Sequence, residues 1–329
     1  QLLYEIGQIT DTEVFIDGTK IEASANKYTF VWKKSVTKHQ ARFLRKTALL
    51  VGDIIERYGF KPLWHREIHK KHVKRYLKKL KAMAADENLQ FVSGRGHRKE
   101  QLQKDIEDLK EALDKLKEYE LKLHKCGERN SYSKTDNDAT FMHMKDDHMM
   151  NGQLKPAYNL QHAVNSGFII AVGMFPNPTD VLTLKPFVEQ MEADLSLRFS
   201  RLVADAGYES EENLKYLEEK RIMAFIKPAN YEQIGTKKFE AQIGKKENMR
   251  YDSEQDCYVC HNQKKIRKTN VKQVKTASGY LREETHYRCS ECDGCPYREK
   301  CMPGKNWKKP VSERYKHLVV SREFERLRA

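Results

Sequence analysis

The sequence predicts an α/β protein whose central sheet has five strands and is interrupted by a long helical segment after the first strand. Two observations lead to this prediction. Strand-like and helix-like runs follow one another as strand, helical insert, strand, strand, helix, strand, helix, strand. Two of the strand-like runs also end alike, in an aspartate close to a glycine, at Asp17 and at Asp205. We therefore interpret the helical insert as an excursion from one sheet.

The first strand, Val14 to Ile16, leads directly into Asp17 and Gly18. A glycine at this place can turn the backbone or let a ligand approach closely. Taken alone, an Asp-Gly pair is typical of a plain turn. The pattern recurs at residues 201–208, where a short apolar strand delivers Asp205 next to a glycine. Two strand-end carboxylates in one chain predict a shared divalent metal site.

The segment from His39 to about Cys126 is highly charged and has the apolar spacing of helices. Its apolar residues repeat at intervals of four and three in two runs. They are Val73, Leu77, Leu80 and Ala84 in the first run and Leu102, Ile106, Leu109, Leu113, Leu116 and Leu123 in the second. This pattern predicts an antiparallel helical hairpin with these residues at its seam. The cationic residues between Lys70 and Lys81 form either a solvated helix face or a DNA contact.

The remaining core elements follow the insert in order. Residues 158–164 alternate as a half-buried strand, and a turn and the strand Phe168 to Phe175 complete a hairpin. The run from Leu182 to Leu197 has helical spacing, with Thr179 or Asp180 as its N-cap. A helix at 211–220 and a last strand, Met223 to Ile226, follow the Asp205 strand.

Cysteines cluster after about residue 230, where the composition shifts to Lys, Gln, Glu and Asn. They are Cys257 and Cys260, spaced C-x2-C, and Cys289, Cys292, Cys295 and Cys301, spaced C-x2-C-x2-C-x5-C. Thiolates at these spacings can close around a structural zinc ion, which would hold together a small module that lacks a core. His261 and His286 offer further ligands, so the ligand set stays open. An iron–sulfur cluster and free thiols in a compact loop are the alternatives.

The composition indicates which kind of partner and which cellular compartment to expect. The net charge of +14 favours a polyanion such as nucleic acid, although charge alone is also compatible with general solubility. The longest apolar run, Phe168 to Phe175, is too short to span a bilayer. Seven cysteines without a visible leader favour reduced thiols or metal ligands, and we expect a cytoplasmic protein.

An aromatic and basic stretch follows the first strand. Residues 24–34 interleave aromatic side chains with lysine and asparagine. Such a mixture is typical of a DNA-contacting segment and equally of a strand with one solvated face. The candidate DNA contacts are Lys20, Lys27, Tyr28, Trp32 and Lys33.

Four short blocks together resemble the bacterial insertion-sequence transposases of the DDE class. They are FIDGTKIEA at 15–23, SKTD at 133–136, KPAYNLQ at 155–161 and DAGY at 205–208. The resemblance extends from about Glu13 to Ala329, and it is closest to the branch with a helical insertion and a Cys-containing segment. It implies an RNase H-like mixed sheet, with the helical hairpin inserted after the first strand and the Cys-rich segment after the last.

The resemblance also implies the chemistry. The first two catalytic carboxylates of that class correspond to Asp17 and Asp205, which would hold two Mg²⁺ ions. Asp17 would bridge both ions and Asp205 would bind one. The partner would be double-stranded DNA, both transposon ends and target, in the bacterial nucleoid, with a homodimer on the DNA.

The third carboxylate of the class is a glutamate on a helix after the Cys segment. Glu313, Glu323 and Glu325 lie in that direction, but none has the expected sequence context, so we expect the third glutamate beyond Ala329. We therefore interpret the chain as a fragment without both ends, inactive in this form. A remnant that only binds DNA and a metal-dependent nuclease on the same fold are the alternatives.

The predicted organisation has five parts. The first part of the catalytic core covers 1–34 and the helical insertion 35–128. The remainder of the core covers 129–230, the Cys-rich insertion 231–305, and the start of a C-terminal helical segment 306–329.

Overall fold

A computed structural model describes residues 2–64, 66–94, 96–144, 152–304 and 310–329. The chain forms two compact units. The first contains residues 1–19, 159–175 and 179–329, and the second contains 20–158 and 176–178. These units divide the chain differently from the predicted domains, because residues 20–34 and 129–158 join the helical segment. The predicted boundary between 305 and 306 lies outside the described residues.

Helices and strands follow one another along the described residues. The helices are α1 (Leu2–Glu5), α2 (Lys33–Tyr58), α3 (Lys70–Asp86), α4 (Gln101–Cys126), α5 (Leu184–Leu195), α6 (Glu211–Glu219), α7 (Lys237–Glu240), α8 (Arg298–Cys301) and α9 (Arg322–Arg328). The strands are β1 (Glu13–Glu22), β2 (Phe30–Trp32), β3 (Ser131–Ser133), β4 (Thr140–His143), β5 (Leu154–Asn165), β6 (Phe168–Phe175), β7 (Arg201–Ala204), β8 (Met223–Ile226), β9 (Arg250–Asp252), β10 (Cys257–Val259), β11 (Lys265–Lys275), β12 (Leu281–Cys289) and β13 (His317–Val320).

The first sheet carries both predicted aspartates. Asp205 follows the end of β7, but Asp17 lies inside β1, because this strand continues through Gly18 to Glu22. The prediction that Asp17 stands at the end of a strand is therefore wrong. Over the described residues it has six strands in the order β4-β5-β1-β7-β8, with β6 also paired to β5. The sheet is mixed, because β1 pairs with β7 in parallel and β7 with β8 in parallel, whereas β5 and β6 are antiparallel. Five of these strands were predicted. The sixth, β4, was missed because it has only four residues and lies next to a polar stretch.

One buried core covers a face of this sheet. Val14 and Ile16 of β1 and Leu202 and Ala204 of β7 pack with α5 and α6. The alternation along β1 follows from the pleat, since Val14 and Ile16 are buried whereas Phe15 between them is 45% exposed. The buried side chains of α5 are Leu184, Phe187, Val188 and Met191. This core therefore fixes which face of β1 and β7 remains open.

The start of α5 differs from the prediction. The segment begins with a 3-10 helix, Asp180–Leu182, and α5 follows with Thr183 at its N-cap. Neither Thr179 nor Thr183 makes a side-chain capping hydrogen bond. Thr179 therefore occupies the N-cap of the 3-10 helix without a side-chain cap. The predicted capping role of Asp180 is wrong, because its carboxylate accepts from Asn159 and Gln161.

The second unit contains three long helices, α2, α3 and α4, in the part of the chain that the structure describes. The sequence predicted a two-helix hairpin, and its seam residues are indeed buried from Val73 to Leu116. The additional helix α2 contributes Val51 and Ile54 to the same core. This part of the chain was predicted to belong to the helical segment, but α2 was not recognised as a third long helix. The last residue of the predicted seam, Leu123, is only partly buried. It packs against a small separate cluster around Cys126 and Tyr132.

The Cys-rich segment is a second sheet. Its strands lie in the order β13-β12-β11-β10-β9, and all pairs are antiparallel. A core of its own includes Tyr258, Ile266, Tyr287, Cys289 and Leu318. The expectation of a small module without a core is therefore wrong, because the alternating apolar residues of these strands supply one. No helix among the described residues is long and apolar enough to cross a membrane.

Candidate active site

The two predicted strand-end aspartates follow a register pair of neighbouring strands. Strands β1 and β7 are parallel, and Ile16 is the partner of Ala204. Asp17 comes directly after Ile16, and Asp205 directly after Ala204. Neighbouring strands lie about 4.8 Å apart, so residues at the same register position are side by side.

Both aspartates lie on the open face of the sheet. Ile16 and Ala204 belong to the buried core, and successive side chains of extended backbone alternate between faces. Asp205 continues β7 in extended conformation, with φ −77° and ψ 177°. Asp17 and Asp205 are both exposed. The two carboxylates therefore extend from the same face, where a cation from solvent can reach them.

Each carboxylate is oriented by a glycine amide that follows it in the chain. The Gly18 amide donates to Asp17 Oδ1 at 2.8 Å. The Gly207 amide donates to Asp205 Oδ1 at 2.8 Å, which makes Asp205 the N-cap of the 3-10 helix Ala206–Tyr208. The remaining oxygen of each carboxylate accepts no hydrogen bond from these glycine amides. Local backbone donors thus preorient the two side chains.

A third carboxylate, Asp180, lies next to both glycines. A Cβ atom at Gly18 would lie 2.7 Å from Asp180 Oδ1 and 2.5 Å from Gln161 Nε2. A Cβ at Gly207 would lie 3.1 Å from Asp180 Oδ2. The glycines are therefore required by the close approach of protein side chains. In the sequence, Asp180 suggested only a capping role, and its position after Asn177-Pro178-Thr179 gave no signal of this contact.

The pKa of Tyr208 is raised by its burial and by the negative charge of these acids. Burial raises the pKa of the Tyr208 phenol strongly, and the negative charges of Asp180, Asp17 and Asp205 raise it further. Its hydroxyl donates to Gln161 Oε1. One buried phenol therefore experiences the field of three carboxylates, which places all three in one electrostatic neighbourhood.

Two of the three glutamates named for a third metal-binding carboxylate form ion pairs. Glu323 forms ion pairs with Arg326 and Lys215. Glu325 forms ion pairs with Lys246 and Arg322. Across the described ranges, no group of three or more His, Cys, Asp or Glu side chains is arranged to hold a metal ion. The assignment of metal ligands to Asp17 and Asp205 stays a prediction.

Two family models match the sequence, and both are described as a transposase DDE domain. The first matches residues 129–290 and the second matches residues 259–329, so that together they cover more than half of the chain. The chain belongs to the DDE transposases. No curated protein matches the chain, and no solved structure does. Transposases of this class act on DNA and generally use a divalent metal such as Mg²⁺.

The matched segments of this transposase include part of the site. Asp180 and Asp205 lie inside the first match, and Asp17 precedes both matches. The assignment of Asp17 therefore depends on the strand register. The resemblance to DDE transposases that the sequence suggested is confirmed at the level of the family.

The cysteines of the second sheet line a common cavity. Its volume is about 20 Å³, which is enough for one water-sized occupant. The thiols that line it are Cys260, Cys289, Cys292, Cys295 and Cys301. Burial raises the pKa of the Cys289 thiol to about 12. The four predicted zinc ligands are thus gathered with a fifth cysteine, although no three of these described thiols are arranged around one point.

The other residues of the predicted zinc set lie apart from this cavity. Cys257 is fully buried in β10 and does not line it. His261 packs edge-on against Tyr297, with ring centres 4.7 Å apart. His286 Nδ1 lies 3.0 Å from His317 Nε2. The C-x2-C spacing of Cys257 and Cys260 therefore does not bring both thiols to the same cavity.

The five predicted DNA contacts fall into two groups. Lys20 Nζ donates to the His143 carbonyl, and Lys33 Nζ donates to the Gly127 carbonyl. Trp32 packs against Phe30 and Phe141 beside the buried Val31 of β2. These three residues hold the fold together. Tyr28 is 72% exposed, and the Lys27 ammonium lies 5.3 Å from its ring centre, so this pair is accessible to a ligand.

Proposed function

We propose that this DDE transposase binds divalent cations between Asp17 and Asp205 and uses them for phosphodiester cleavage and strand transfer of DNA. The single observation that supports this proposal is the register of β1 and β7. The pair Ile16 and Ala204 brings the two following aspartates side by side on the exposed face of one sheet. Two adjacent carboxylates are the hard oxygen donors that Mg²⁺ prefers.

The chain's own groups would act by orientation and charge. When bound, divalent cations stabilise the negative charge on the phosphoryl oxygens and align the entering and leaving oxygens. The Gly18 and Gly207 amides orient one oxygen of each aspartate, and both aspartates are exposed to solvent. As the resemblance implies, Asp17 and Asp205 would hold the cations.

The DNA substrate is supported by charge and by one accessible pair. The chain carries a net charge of +14, so counterion release favours its binding to phosphate backbones. Lys27 and Tyr28 combine a cation with an exposed aromatic ring, the combination that contacts both phosphate and base. We assign DNA contact to this pair and fold support to Lys20, Trp32 and Lys33.

A structural zinc ion in the second sheet is a separate part of the proposal. It is supported by the gathering of five thiols around a cavity of about 20 Å³. Binding would require the thiols to rotate toward the cavity, since no three converge within the described residues. Its role would be to stabilise the sheet, and no catalytic step depends on it.

Cleavage of supercoiled plasmid tests the proposed chemistry. The chain is incubated with plasmid and Mg²⁺ or Mn²⁺, and nicking is compared among the wild type, Asp17→Asn and Asp205→Asn. Where the wild type nicks DNA, we expect either substitution to lower nicking by at least about a hundredfold, because transition-state charge stabilisation is lost. A wild-type chain that does not nick DNA would agree with the prediction that this form is inactive. Asp194→Asn is the matched control, since Asp194 is an exposed aspartate of α5. It should leave nicking unchanged.

Strand transfer separates transposition from plain nuclease action. An oligonucleotide with a free 3′-hydroxyl is offered together with target plasmid, and joined product is measured. Joined product that depends on Asp17 supports a transposase, and nicking without joining supports a nuclease. Nicking or joining that persists at the wild-type rate in both aspartate variants would refute the proposed site.

A further inference from the structure

The 3-10 helix Asp180–Leu182 contains a carboxylate that the proposed chemistry leaves without a role. Asp180 is half-buried and is the N-cap of neither this short helix nor α5. It accepts from Asn159 Nδ2 at 2.8 Å and from Gln161 Nε2 at 3.1 Å, both on the same oxygen, Oδ1. Because both donors lie on β5, Asp180 links the start of the α5 segment to the sheet.

The donors belong to a buried and connected network. Asn159 and Gln161 are both fully buried. Gln161 Nε2 also donates to Asn159 Oδ1 at 2.9 Å, and the Tyr208 hydroxyl donates to Gln161 Oε1. Networks of this kind hold their members in one arrangement, because a buried polar group that loses its partner costs about 1–3 kcal/mol.

This network reaches the backbone beneath both candidate metal ligands. The Asp180 carboxylate leaves no room for a Cβ at Gly18 and little at Gly207, the glycines whose amides orient Asp17 and Asp205. Asp180 therefore lies against β1 at Gly18 and against the 3-10 helix after β7 at Gly207. A shift of this one carboxylate would allow both glycines to move.

A second link connects the same two segments. Asn213 of α6 donates through Nδ2 to the Val181 carbonyl at 2.9 Å and to the Tyr208 carbonyl at 2.8 Å. It thereby joins the residue after Asp180 to the 3-10 helix that follows Asp205. The position of Asp180 is thus fixed from the β5 side and from the α6 side.

We propose that Asp180 is a positioning residue of the active site, which sets the spacing of Asp17 and Asp205 for cation binding by holding Gly18 and Gly207. This inference rests on the proposed function. Asp180 is assigned no ligand role, because its Oδ1 oxygen accepts from Asn159 and Gln161.

Cation affinity of the whole chain tests this proposal without need for activity. Binding of Mn²⁺ is titrated by calorimetry and by electron paramagnetic resonance in the wild type, Asp17→Asn, Asp180→Ala and Asp180→Asn. Partners that orient metal ligands typically contribute 10–100-fold to metal affinity. We expect Asp180→Ala to weaken Mn²⁺ binding by roughly tenfold. Asp180→Asn keeps an acceptor oxygen for Asn159 and Gln161, so it should recover most of the affinity.

Asn165→Ala is the control for a general loss of stability. Asn165 bonds to the Thr10 and Glu13 carbonyls and accepts from the Thr10 amide, at the opposite end of β1 from Asp17. Its substitution removes buried hydrogen bonds of the same sheet without touching Gly18 or Gly207. Unfolding midpoints are measured for all variants, and affinities are taken well below them.

The outcomes distinguish the positioning role of Asp180 from the proposed function of Asp17 and Asp205. Weaker Mn²⁺ binding in Asp180→Ala, with recovery in Asp180→Asn and no change in Asn165→Ala, supports the positioning role. Equal affinities for Asp180→Ala and Asn165→Ala overturn it, while loss of binding in Asp17→Asn leaves the proposed function intact. Wild-type affinity in Asp17→Asn overturns the proposed function and the positioning role together.

Discussion

Two clusters of candidate metal ligands lie on different sheets of this chain, and they are built in opposite ways. Asp17 and Asp205 are exposed, and backbone amides orient them from the protein side. Cys289 and Cys292 are buried and form part of the hydrophobic core of their sheet. A substitution at the carboxylates can therefore change activity without changing stability. At the thiols, a substitution of a candidate ligand also changes the hydrophobic core.

The largest expected effect lies at the carboxylates. Asp17→Asn should lower the rate of metal-dependent cleavage by at least about a hundredfold. It should change the free energy of unfolding by less than about 0.5 kcal/mol. The reason is that an exposed side chain contributes charge to the site but little packing. Urea unfolding measured beside the cleavage assay checks both parts. A loss of stability comparable to that of a core substitution would remove the distinction between the two clusters.

The next effect concerns the glycines, which connect the exposed carboxylates to the buried network. Gly18→Ala should destabilise the chain by about 1–3 kcal/mol, since the new methyl group would overlap Gln161 and Asp180, both held by hydrogen bonds. At Gly207 the nearest atom to a Cβ is Asp205 Oδ1 at 2.9 Å, an exposed group that can rotate away. Gly207→Ala should therefore cost less stability and weaken Mn²⁺ binding.

Thermal unfolding and Mn²⁺ titration of the two alanine variants decide this prediction. Equal stability of Gly18→Ala and the wild type would mean that Asp180 and Gln161 yield easily. In that case the network cannot fix the spacing of the carboxylates.

The cysteine cluster should respond in stability and zinc content. We expect about one zinc per chain by elemental analysis, and Cys292→Ser should lower this content together with the unfolding midpoint. Cys126→Ser is the matched control, because Cys126 is a fully buried cysteine at the end of α4 and not part of the cluster. Wild-type protein purified without zinc, and equally stable after treatment with a chelator, would show that the thiols are only core residues.

The second sheet should also have a characteristic sensitivity to acid. The Tyr287 hydroxyl donates to Asp256 and holds the pKa of that carboxyl well below its usual range, with further help from Tyr251 and Lys268. Because the folded-state pKa is lowered, the ionised carboxylate stabilises the fold above the unfolded-state pKa of about 3.9. This stabilisation is lost progressively as the pH falls below about 4 toward the lower folded-state pKa.

Substitution of Asp256 should remove this pH dependence. Asp256→Asn is expected to lower stability by about 1–3 kcal/mol at pH 6, and the difference from wild type should shrink by pH 3. Near-UV circular dichroism follows the nearby tyrosines during urea unfolding, and Glu254→Gln in the exposed turn is the control. A difference that grows as the pH falls would have the wrong sign for this explanation.

Much of the first sheet was predictable because its signals are local. The apolar run at Val14 to Ile16 and the recurrence of Asp with Gly at Asp205 were sufficient to predict two strands of one sheet, although β1 continues past Asp17 to Glu22. Asp180 could not be found in this way, because its partners Asn159, Gln161 and Gly18 are far away in sequence. A half-buried aspartate before a helix has the same local pattern as an ordinary N-cap.

The helical segment and the Cys-rich segment show a similar limit. The spacing of Val73 to Leu116 indicated two helices correctly, but the third helix, α2, was not recognised. The cysteine spacing suggested a module held by metal alone, whereas Tyr258, Ile266 and Tyr287 build a core from strands whose pairing is non-local. The spacing of the motifs identified the types of ligand. Their structural environment depends on long-range packing, which the spacing does not show.

The smallest expected effect concerns DNA contact in the second unit. Lys27→Gln should weaken DNA binding a few-fold and lower the salt slope by about one, since one phosphate contact is lost. Lys33→Gln should leave the slope unchanged, because its ammonium is bound to the Gly127 carbonyl. Fluorescence anisotropy with a duplex at several salt concentrations measures both. A lower affinity and a lower salt slope in Lys33→Gln, with no change in Lys27→Gln, would reassign the DNA contact to Lys33.

The most direct measurement is an anomalous diffraction map from crystals of this chain soaked in MnCl₂. The proposed site predicts a Mn²⁺ peak between the carboxylates of Asp17 and Asp205, on the open face of β1 and β7, which disappears in Asp17→Asn crystals. A peak bound elsewhere while these two carboxylates remain empty, or side chains that point to opposite faces of the sheet, would contradict it.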